Sequence, residues 1–444
     1  MERPVVIVGG GVSGLTLGER LARDGVPTVI VEKEDRLGGL ARTFRYDGFA
    51  FDIGPHRFHS DAPAVSEFIR DALGDAARTI ARRSSVSFGA QLFPWPLHPT
   101  TAFFRFPLRT MLAILRDLLT LYRRSPSETF RDYIVNMYGE TLYRVFFEGY
   151  SSKFLGIPPE LTHVDWAKTG IDRSIIDSRL RMRNLRELLA GMILPSRRPT
   201  LQFIYPTGGC DRFIDRLHER YRAAGGETLV GQAADRLETD GRRIRAVHAG
   251  PRSWEPALVV WTGPLPLLAE LVGAPRPELH YLSLVCYNLM LTAGRPFPFQ
   301  WCYHGSPDIL FSRASAPQGF DPAMAPAGRR SLCLEVTTDE EKNVYRHPEA
   351  YVERLLADAK RERLLLTDGE VLDVKIERIP WAYPIYSLDY RRHLSAVEQA
   401  LSPLQNLVRA GRLGLFWYNN MDHCIAASLS LAERIKNLLR QSAS

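Results

Sequence analysis

The chain has 444 residues, of which 45% are hydrophobic and 24% charged, as in a globular protein with more than one domain. Its 33 glycines and 30 prolines are spread along the sequence, which argues against a long disordered tract or an internal repeat. The formal charge of +7 permits an anionic ligand. No basic run is longer than a pair, which argues against nucleic-acid binding.

The five cysteines are far apart and include no Cys-x-x-Cys pair, so we expect reduced thiols and no structural metal site. An apolar run begins at Val5 and leaves no space for a signal peptide, and no segment has the length of a transmembrane helix. These features predict a cytoplasmic protein without a transmembrane segment. The oligomeric state stays open, and a homodimer is compatible with the sequence.

The N-terminal segment PVVIVGGGVSGLTLGERLARDGVPTVIVE has the pattern of a dinucleotide-binding unit. Residues 5–8 are all β-branched and predict a buried parallel strand, and the apolar residues after the glycines repeat at helical spacing. The glycines permit a tight turn, the approach of a pyrophosphate, and close packing of helix and strand. A second strand, residues 28–31, ends at an acid that can accept hydrogen bonds from a ribose. The residues expected to bind here are Gly9, Gly11, Val12, Ser13, Gly14 and Glu32.

NAD and FAD both fit this pattern, and the next segment, DRLGGLARTF, favours FAD. It resembles the second glycine motif of the flavoprotein superfamily that includes amine oxidases, protoporphyrinogen oxidases and UDP-galactopyranose mutases. The resemblance implies contact with the other side of the pyrophosphate, and no second GxGxxG is present for NAD(P)H. It extends the expected FAD-binding residues to Lys33, Arg36, Gly38, Gly39, Leu40, Pro55, His56, Val230, Thr262, Gly411, Arg412, Asn420, Met421 and Asp422.

The expected fold class is α/β, with a discontinuous Rossmann-type FAD-binding domain, an inserted helical domain and an antiparallel-sheet substrate domain. We expect the FAD domain to comprise residues 1–95, 200–263 and 405–444, the helical domain 96–199, and the sheet domain 264–404. The helical range contains an apolar repeat at 111–122, which suits a core-facing helix or a membrane-surface helix. The sheet range contains the strand-like segments LVCYNLML, ILFSRAS, SLCLEVT and VLDVKIERI.

The segment FDIGPHRFHS, residues 51–60, places His56 and His59 three residues apart. The pair is compatible with half of a metal site, but no other segment offers partner ligands at a suitable spacing, so we predict no metal. The Gly-Pro-His-x-Phe-His pattern resembles the loop near flavin N5 in UDP-galactopyranose mutases. The resemblance implies that Gly54 and Pro55 form a bend that brings backbone and imidazole to the flavin.

Further segments resemble the sugar site of these mutases: FFEGYSSKFLG, LFSRAS, AYPIY and GRLGLFWYNNMD. The resemblance implies that an arginine binds the diphosphate and that tyrosines orient the sugar. The chain departs from the pattern where Leu155 replaces a tryptophan, where Asn419 and Asn420 replace an acidic residue, and where a second diphosphate arginine is missing. The expected substrate-binding residues are Tyr150, Lys153, Lys168, Arg173, Arg313, Tyr383, Tyr386 and Tyr418, and the expected catalytic residues are His56, His59, Arg313, Tyr383 and Tyr418.

Two functions stay open at this level. In the mutase-like function, flavin N5 acts on the anomeric carbon of a nucleotide-activated sugar, and the redox-neutral reaction needs an external reductant to prepare the flavin. In the oxidase- or dehydrogenase-like function, the flavin takes a hydride from a C–H bond beside nitrogen or oxygen and passes electrons to an acceptor such as oxygen or a quinone. The two histidines and Arg313 favour the first function, whereas the altered sugar-site residues favour the second.

Overall fold

The computed structural model describes residues 3–95, 107–120, 126–174 and 201–443. The predicted strand–helix–strand unit forms as Val5–Val8, Val12–Arg23 and Thr28–Val31. Both strands are buried throughout, as central strands of a parallel sheet must be. The sheet has five parallel strands in the order Leu407–Arg409, Leu258–Trp261, Val5–Val8, Thr28–Val31 and Glu227–Leu229. Because they come from three separated parts of the chain, this is a discontinuous Rossmann-type unit.

Helices cover this nucleotide-binding sheet. Val12–Arg23 packs against Asp211–Ala223 and Met421–Ala443, and its Leu15 and Leu17 are fully buried. A three-stranded antiparallel sheet extends the same region, and four further strands form two antiparallel pairs. The sheet consists of Arg236–Thr239, Ile244–Ala249 and Arg252–Trp254, and the pairs are Thr43–Tyr46 with Phe49–Asp52 and Ala77–Ala81 with Gln202–Pro206. The helix Pro63–Leu73 packs against Asp211–Ala223 and Met421–Ala443.

The second large sheet has seven strands. In order they are Val371–Ile385, His280–Leu291, Arg330–Thr338, Arg313–Ser315, Trp301–His304, Ser84–Phe88 and Gln91–Trp95. All neighbours are antiparallel except Trp301–His304 and Ser84–Phe88, which pair in parallel. Residues 84–95 therefore extend this sheet across the boundary expected at residue 95, although the division into three domains stays a prediction. Within ILFSRAS, only the last three residues form a strand.

Short helices build the predicted helical region. They are Leu108–Thr120, Phe130–Tyr138, Glu140–Leu142, a π-helical segment at Tyr143–Glu148, Gly149–Leu155 and Val164–Ser174. Thr129 caps the second of them, because its side chain accepts a hydrogen bond from the Asp132 N–H. In the first, Ile114 is buried while Leu108 and Leu112 are exposed, so its apolar repeat is only partly core-facing.

The other helices flank the two sheets and complete the described fold. They are Leu265–Leu271, Asn343–Arg346, Val352–Arg361, Tyr390–Leu401 and Gly411–Gly414. All five cysteines are buried and form no disulfide. Within the described ranges, no helix is both long and apolar enough to span a membrane.

Candidate active site

A cavity of about 450 Å³ lies at the carboxyl ends of Val5–Val8 and Thr28–Val31. Ligands bind at this edge in open α/β sheets, because loops diverge there from the ends of parallel strands. The cavity walls also include residues 261–264 and the start of Met421–Ala443. Of the residues expected to bind FAD, those that line it are Gly9, Gly11, Val12, Ser13, Glu32, Lys33, Gly38, Gly39, Leu40, His56, Thr262, Gly411, Arg412, Asn420 and Met421.

The two glycine segments lie side by side. The Gly38 N–H donates to the Gly10 carbonyl at 2.9 Å. A Cβ on Gly11 would have nothing nearer than Gly38 and Gly39 backbone atoms at 3.9 Å, so the backbone there is open to a ligand. The helix that follows has no side-chain cap and no acidic residue in its first turn, which leaves its first N–H groups for a phosphate. This arrangement fits the pyrophosphate of FAD.

Glu32 closes one side of the cavity. Its Oε2 accepts from the Gly10 N–H at 2.7 Å, and its Oε1 accepts from the Glu34 N–H at 3.0 Å. The carboxylate is therefore fixed by the turn itself. Each carboxylate oxygen has two lone pairs, so capacity remains for ribose hydroxyls.

Five expected FAD residues do not line the cavity: Gly14, Arg36, Pro55, Val230 and Asp422. A Cβ on Gly14 would lie 2.0 Å from the Gly9 carbonyl oxygen, so this glycine serves the close approach of helix and turn. Val230 is 41% exposed. The chain folds back after it, because the Gly231 N–H donates to the Glu34 carbonyl at 2.7 Å, and Ala233 and Ala234 reach the cavity instead.

Residues 379–381 also line the cavity, and the sequence pattern did not indicate them. They belong to the long strand Val371–Ile385, at a shift in its register with His280–Leu291. Trp381 has a φ of 55°, a conformation that is costly for a tryptophan. A bulge of this kind re-aims side chains without leaving a hydrophobic signature, which explains why the pattern missed it.

The loop that carries the two histidines is anchored at both ends. At its start, Asp52 accepts hydrogen bonds from Thr43 Oγ1 and Tyr205 Oη, each at 2.6 Å. At its end, Phe58 exchanges two backbone hydrogen bonds of 2.9 Å with Ile204. Between these anchors, Gly54 has a φ of 74°, which forms the expected bend.

The structure separates the two histidines. His56 lines the cavity, whereas His59 lies outside it, with its Nδ1 3.2 Å from the Gln202 carbonyl oxygen and its ring edge-on to Phe203. Of the two histidines, only His56 therefore lines the cavity. Among the described residues, no group of three or more histidine, cysteine or acidic side chains is arranged to hold a metal ion.

His56 is a neutral imidazole. Burial, followed by the positive charges of Arg412, Arg313 and Arg57, lowers its pKa from 6.5 to about 3. Its Nδ1 has no hydrogen-bond partner among the described residues. His56 thus acts here as a hydrogen-bonding group and not as a cation.

Arg313 does not present a free positive charge. Its Nε donates to Glu335 Oε1 at 2.6 Å, its Nη2 pairs with Glu335 Oε2, and Nη2 also lies 3.1 Å from Tyr383 Oη. Burial lowers the pKa of Arg313, but the adjacent Glu335 carboxylate outweighs burial and holds it well above the usual value. The role of Arg313 as a diphosphate ligand stays a prediction, and the structure shows that the Glu335 carboxylate already neutralises the Arg313 charge.

Three of the expected substrate tyrosines belong to one aromatic cluster. Tyr383 lies 5.9 Å from Tyr418 and 5.0 Å from Phe154, whose ring stacks with Tyr150 at 5.6 Å, all measured between ring centroids. The guanidinium of Arg412, which lines the cavity, lies 5.6 Å from both the Tyr383 and Tyr418 ring centroids. The cluster therefore adjoins the cavity.

The other expected substrate ligands have different positions. Lys153 Nζ donates to the carbonyls of Ser306, Ile309 and Phe311 at 2.8, 3.0 and 3.0 Å, which fills its three donor positions. Tyr386 is a buried core residue whose hydroxyl accepts from the Tyr418 N–H at 2.9 Å. Lys168 is exposed on Val164–Ser174, and the side chain of Arg173, on the same helix, lies outside the described part of the chain.

Comparison with known proteins agrees with this geometry. The family model of flavin-containing amine oxidoreductases matches residues 12–435. The chain is similar to the lycopene-forming phytoene desaturase of Pantoea ananas, with 26% identity over 276 residues, which cover 55% of this chain and 52% of the relative. It is also similar to a probable UDP-galactopyranose mutase of Klebsiella pneumoniae, with 28% identity over 166 residues, which cover 36% of this chain and 42% of the relative. The chain thus spans about half or less of the length of these two curated relatives.

Among solved structures, reduced UDP-galactopyranose mutase has a TM-score of 0.84 and 20% identity, and covers 98% of this chain and 96% of its own. At that identity the likeness shows the fold. The family match covers nearly the whole chain, and the cavity fits a flavin dinucleotide. The protein is therefore a member of the flavin-containing amine oxidoreductase family and a flavoenzyme whose cofactor is FAD.

Proposed function

We propose that this enzyme interconverts ring forms of a nucleotide-activated sugar in a redox-neutral reaction that uses reduced FAD. The observation that carries the proposal is the position of neutral His56 in the flavin cavity beside a tyrosine cluster that adjoins the same cavity. The likeness in fold to reduced UDP-galactopyranose mutase along nearly the whole chain supports it.

The reduced flavin, when bound, supplies a nucleophilic nitrogen for an anomeric carbon. The residues of the chain itself bind and orient the substrate. Tyr150, Tyr383 and Tyr418 offer hydroxyls that donate to and accept from sugar hydroxyls, and aromatic faces that exclude water. His56 is neutral at working pH, so it can exchange one hydrogen bond at the flavin without adding charge.

A dehydrogenase- or oxidase-like activity is the second candidate, and two observations favour it. Glu335 neutralises Arg313, which weakens the case for a diphosphate at that position. The sequence is also similar to the Pantoea phytoene desaturase over 276 residues. An aromatic cluster with few free charges suits an apolar substrate as well as a sugar.

One experiment separates the two functions. FAD-loaded protein is reduced with dithionite without oxygen and incubated with UDP- and dTDP-hexopyranoses, and the nucleotide sugars are then resolved by chromatography. We expect a product of unchanged mass and altered retention with reduced enzyme and none with oxidised enzyme. If no nucleotide sugar is converted, and an amine or hydrocarbon donor bleaches the oxidised flavin, the second function holds.

Matched tyrosine variants link the activity to the site. Tyr383→Phe and Tyr150→Phe should slow conversion by about 10-fold, the effect of one lost hydrogen bond in the transition state, with an unchanged flavin spectrum. Tyr345→Phe, on the short helix Asn343–Arg346, is the control and should leave the rate unchanged. Equal rates in all three variants would remove the tyrosine cluster from the proposal.

A further inference from the structure

Two arginines from separate parts of the chain lie over one tryptophan. The guanidinium carbons of Arg57 and Arg82 are 4.7 and 5.3 Å from the Trp301 ring centroid, and Arg57 is also 5.4 Å from the Phe203 ring centroid. Trp301 and Phe203 are almost completely buried, so they form a rigid support. Polar contacts fix both arginines: Arg57 Nη1 donates to the Pro55 carbonyl at 2.9 Å, and Arg82 Nε donates to Ser84 Oγ at 2.8 Å.

The Asp422 carboxylate favours the charged form of Arg57 but acts from beyond ion-pair distance. Within the described ranges, no carboxylate oxygen lies within 4.0 Å of the Arg57 nitrogens. Burial and the charge of Arg313 lower the pKa of Arg57, and burial and the charge of Arg57 lower the pKa of Arg82 to about 10. Arginine keeps its proton in folded proteins, so both guanidinium groups carry a positive charge at neutral pH. Two confined like charges repel, and a bound anion would relieve that repulsion.

We propose that Arg57 and Arg82 form the subsite that binds the anionic group of the substrate, a phosphate or diphosphate. The inference deepens the proposed function, on which it rests, and moves the anion from Arg313 to this pair. Arginine suits the task, because its planar fork binds phosphate oxygens with two parallel hydrogen bonds.

The position of the pair agrees with this role. Arg57 directly follows His56, which lines the flavin cavity. Tyr303 connects the pair to the aromatic cluster, because its ring lies 5.2 Å from that of Tyr150, and its strand also carries Trp301. An anion at the pair would therefore lie close to the aromatic cluster, within reach of a sugar bound there.

Inorganic pyrophosphate is the probe. It is titrated by calorimetry into the full-length, FAD-saturated protein, so that the flavin itself occupies the cofactor's own pyrophosphate site. We expect saturable binding that Arg57→Met and Arg82→Met each weaken by at least about 10-fold, as for the loss of a charge-assisted contact. The control is Arg252→Met: Arg252 lies 5.1 Å from the Trp254 ring centroid in the three-stranded sheet, and its loss should leave binding unchanged.

Two results would contradict the proposed anion subsite. Absence of pyrophosphate binding to the unsubstituted protein, or binding by both variants that is as tight as that of the unsubstituted protein, overturns the subsite. Flavin absorbance checks that each variant is folded, and if Arg57→Met does not hold flavin, Arg57→Lys and Arg82→Met decide the matter. Arg57-dependent binding without conversion of any nucleotide sugar would contradict the proposed function alone, whereas conversion with Arg57-independent binding would contradict the subsite alone.

Discussion

The Arg313 guanidinium and the Glu335 carboxylate form a bidentate ion pair directly against the Gly54 bend. A Cβ on Gly54 would lie 2.7 Å from Glu335 Oε2 and 2.9 Å from Arg313 Nη2. The pair belongs to the seven-stranded sheet, and the bend belongs to the loop that carries His56. This contact joins the loop that carries His56 to the seven-stranded sheet, so we expect substitution of either residue of the ion pair to alter the cofactor site.

Gly54→Ala should damage both stability and flavin binding. The left-handed φ of 74° costs an alanine about 1 kcal/mol, and its methyl group would also press on the ion pair. Gly328→Ala is the matched control, because Gly328 has a φ of 73° and nothing within 4 Å of an added Cβ. Urea unfolding should show a loss at least about 1 kcal/mol larger for Gly54→Ala, with a lower ratio of flavin to protein absorbance. Equal losses would show that the loop shifts freely.

Removal of one partner from the ion pair should cost more than removal of both. Arg313→Met leaves the buried Glu335 carboxylate uncompensated and should lower the free energy of unfolding by about 3–5 kcal/mol. The double variant Arg313→Met, Glu335→Leu should recover most of that loss. Denaturant unfolding of the two single variants and the double variant gives the coupling energy, and additive losses would contradict the pairing.

His56 should make stability depend on pH in the acid range. Its folded pKa of about 3 lies below the unfolded value of 6.5, so the unfolded chain binds a proton that the folded chain does not. The free energy of unfolding should therefore fall as pH falls from about 6.5 toward 3, at most by about 1.4 kcal/mol per pH unit from this group. His56→Gln should flatten the slope measured by urea unfolding, whereas His59→Gln serves as the control. An unchanged slope in His56→Gln would mean that the imidazole is not kept neutral.

Lys153 should be a stabilising residue and not a substrate ligand. Lys153→Met would leave three carbonyls of residues 306–311 without their donor, at a cost of about 2–3 kcal/mol. Lys168→Met, at an exposed position, should change stability by less than about 0.5 kcal/mol. The two variants are compared by denaturant midpoint. A drop in pyrophosphate affinity with unchanged stability in Lys153→Met would restore the role predicted from sequence.

Local patterns predicted the nucleotide-binding unit well. The glycine spacing, the β-branched run and the acid at Glu32 each have a definite physical role, and the structure places Gly9, Gly11, Glu32 and the end of the strand around one cavity. The same holds for the helix that begins at Met421, whose first residue lines that cavity. Motifs of this kind can be identified from sequence because the backbone of a few neighbouring residues forms the binding site.

The sugar-site roles stay predictions, and sequence patterns indicate them less clearly because they depend on contacts between distant segments. Arg313 has the residue type of an anion ligand, but its charge state in the fold depends on Glu335, which faces it across a strand pair. Lys153 likewise meets carbonyls more than 150 residues away. The hairpin at 84–95 joins its sheet through a parallel pairing with Trp301–His304, and no periodicity in either segment indicates the partner.

The doubly anchored loop has a kinetic consequence. Asp52 and Phe58 hold the histidine loop to Tyr205 and Ile204, so the conformational entropy of this segment is lost when the chain folds and not at each encounter with a ligand. Association at His56 then needs no ordering step, and its rate should be set by diffusion and by entry to the cavity. The histidine loop is thus a fixed surface against which the flavin and its substrate must fit.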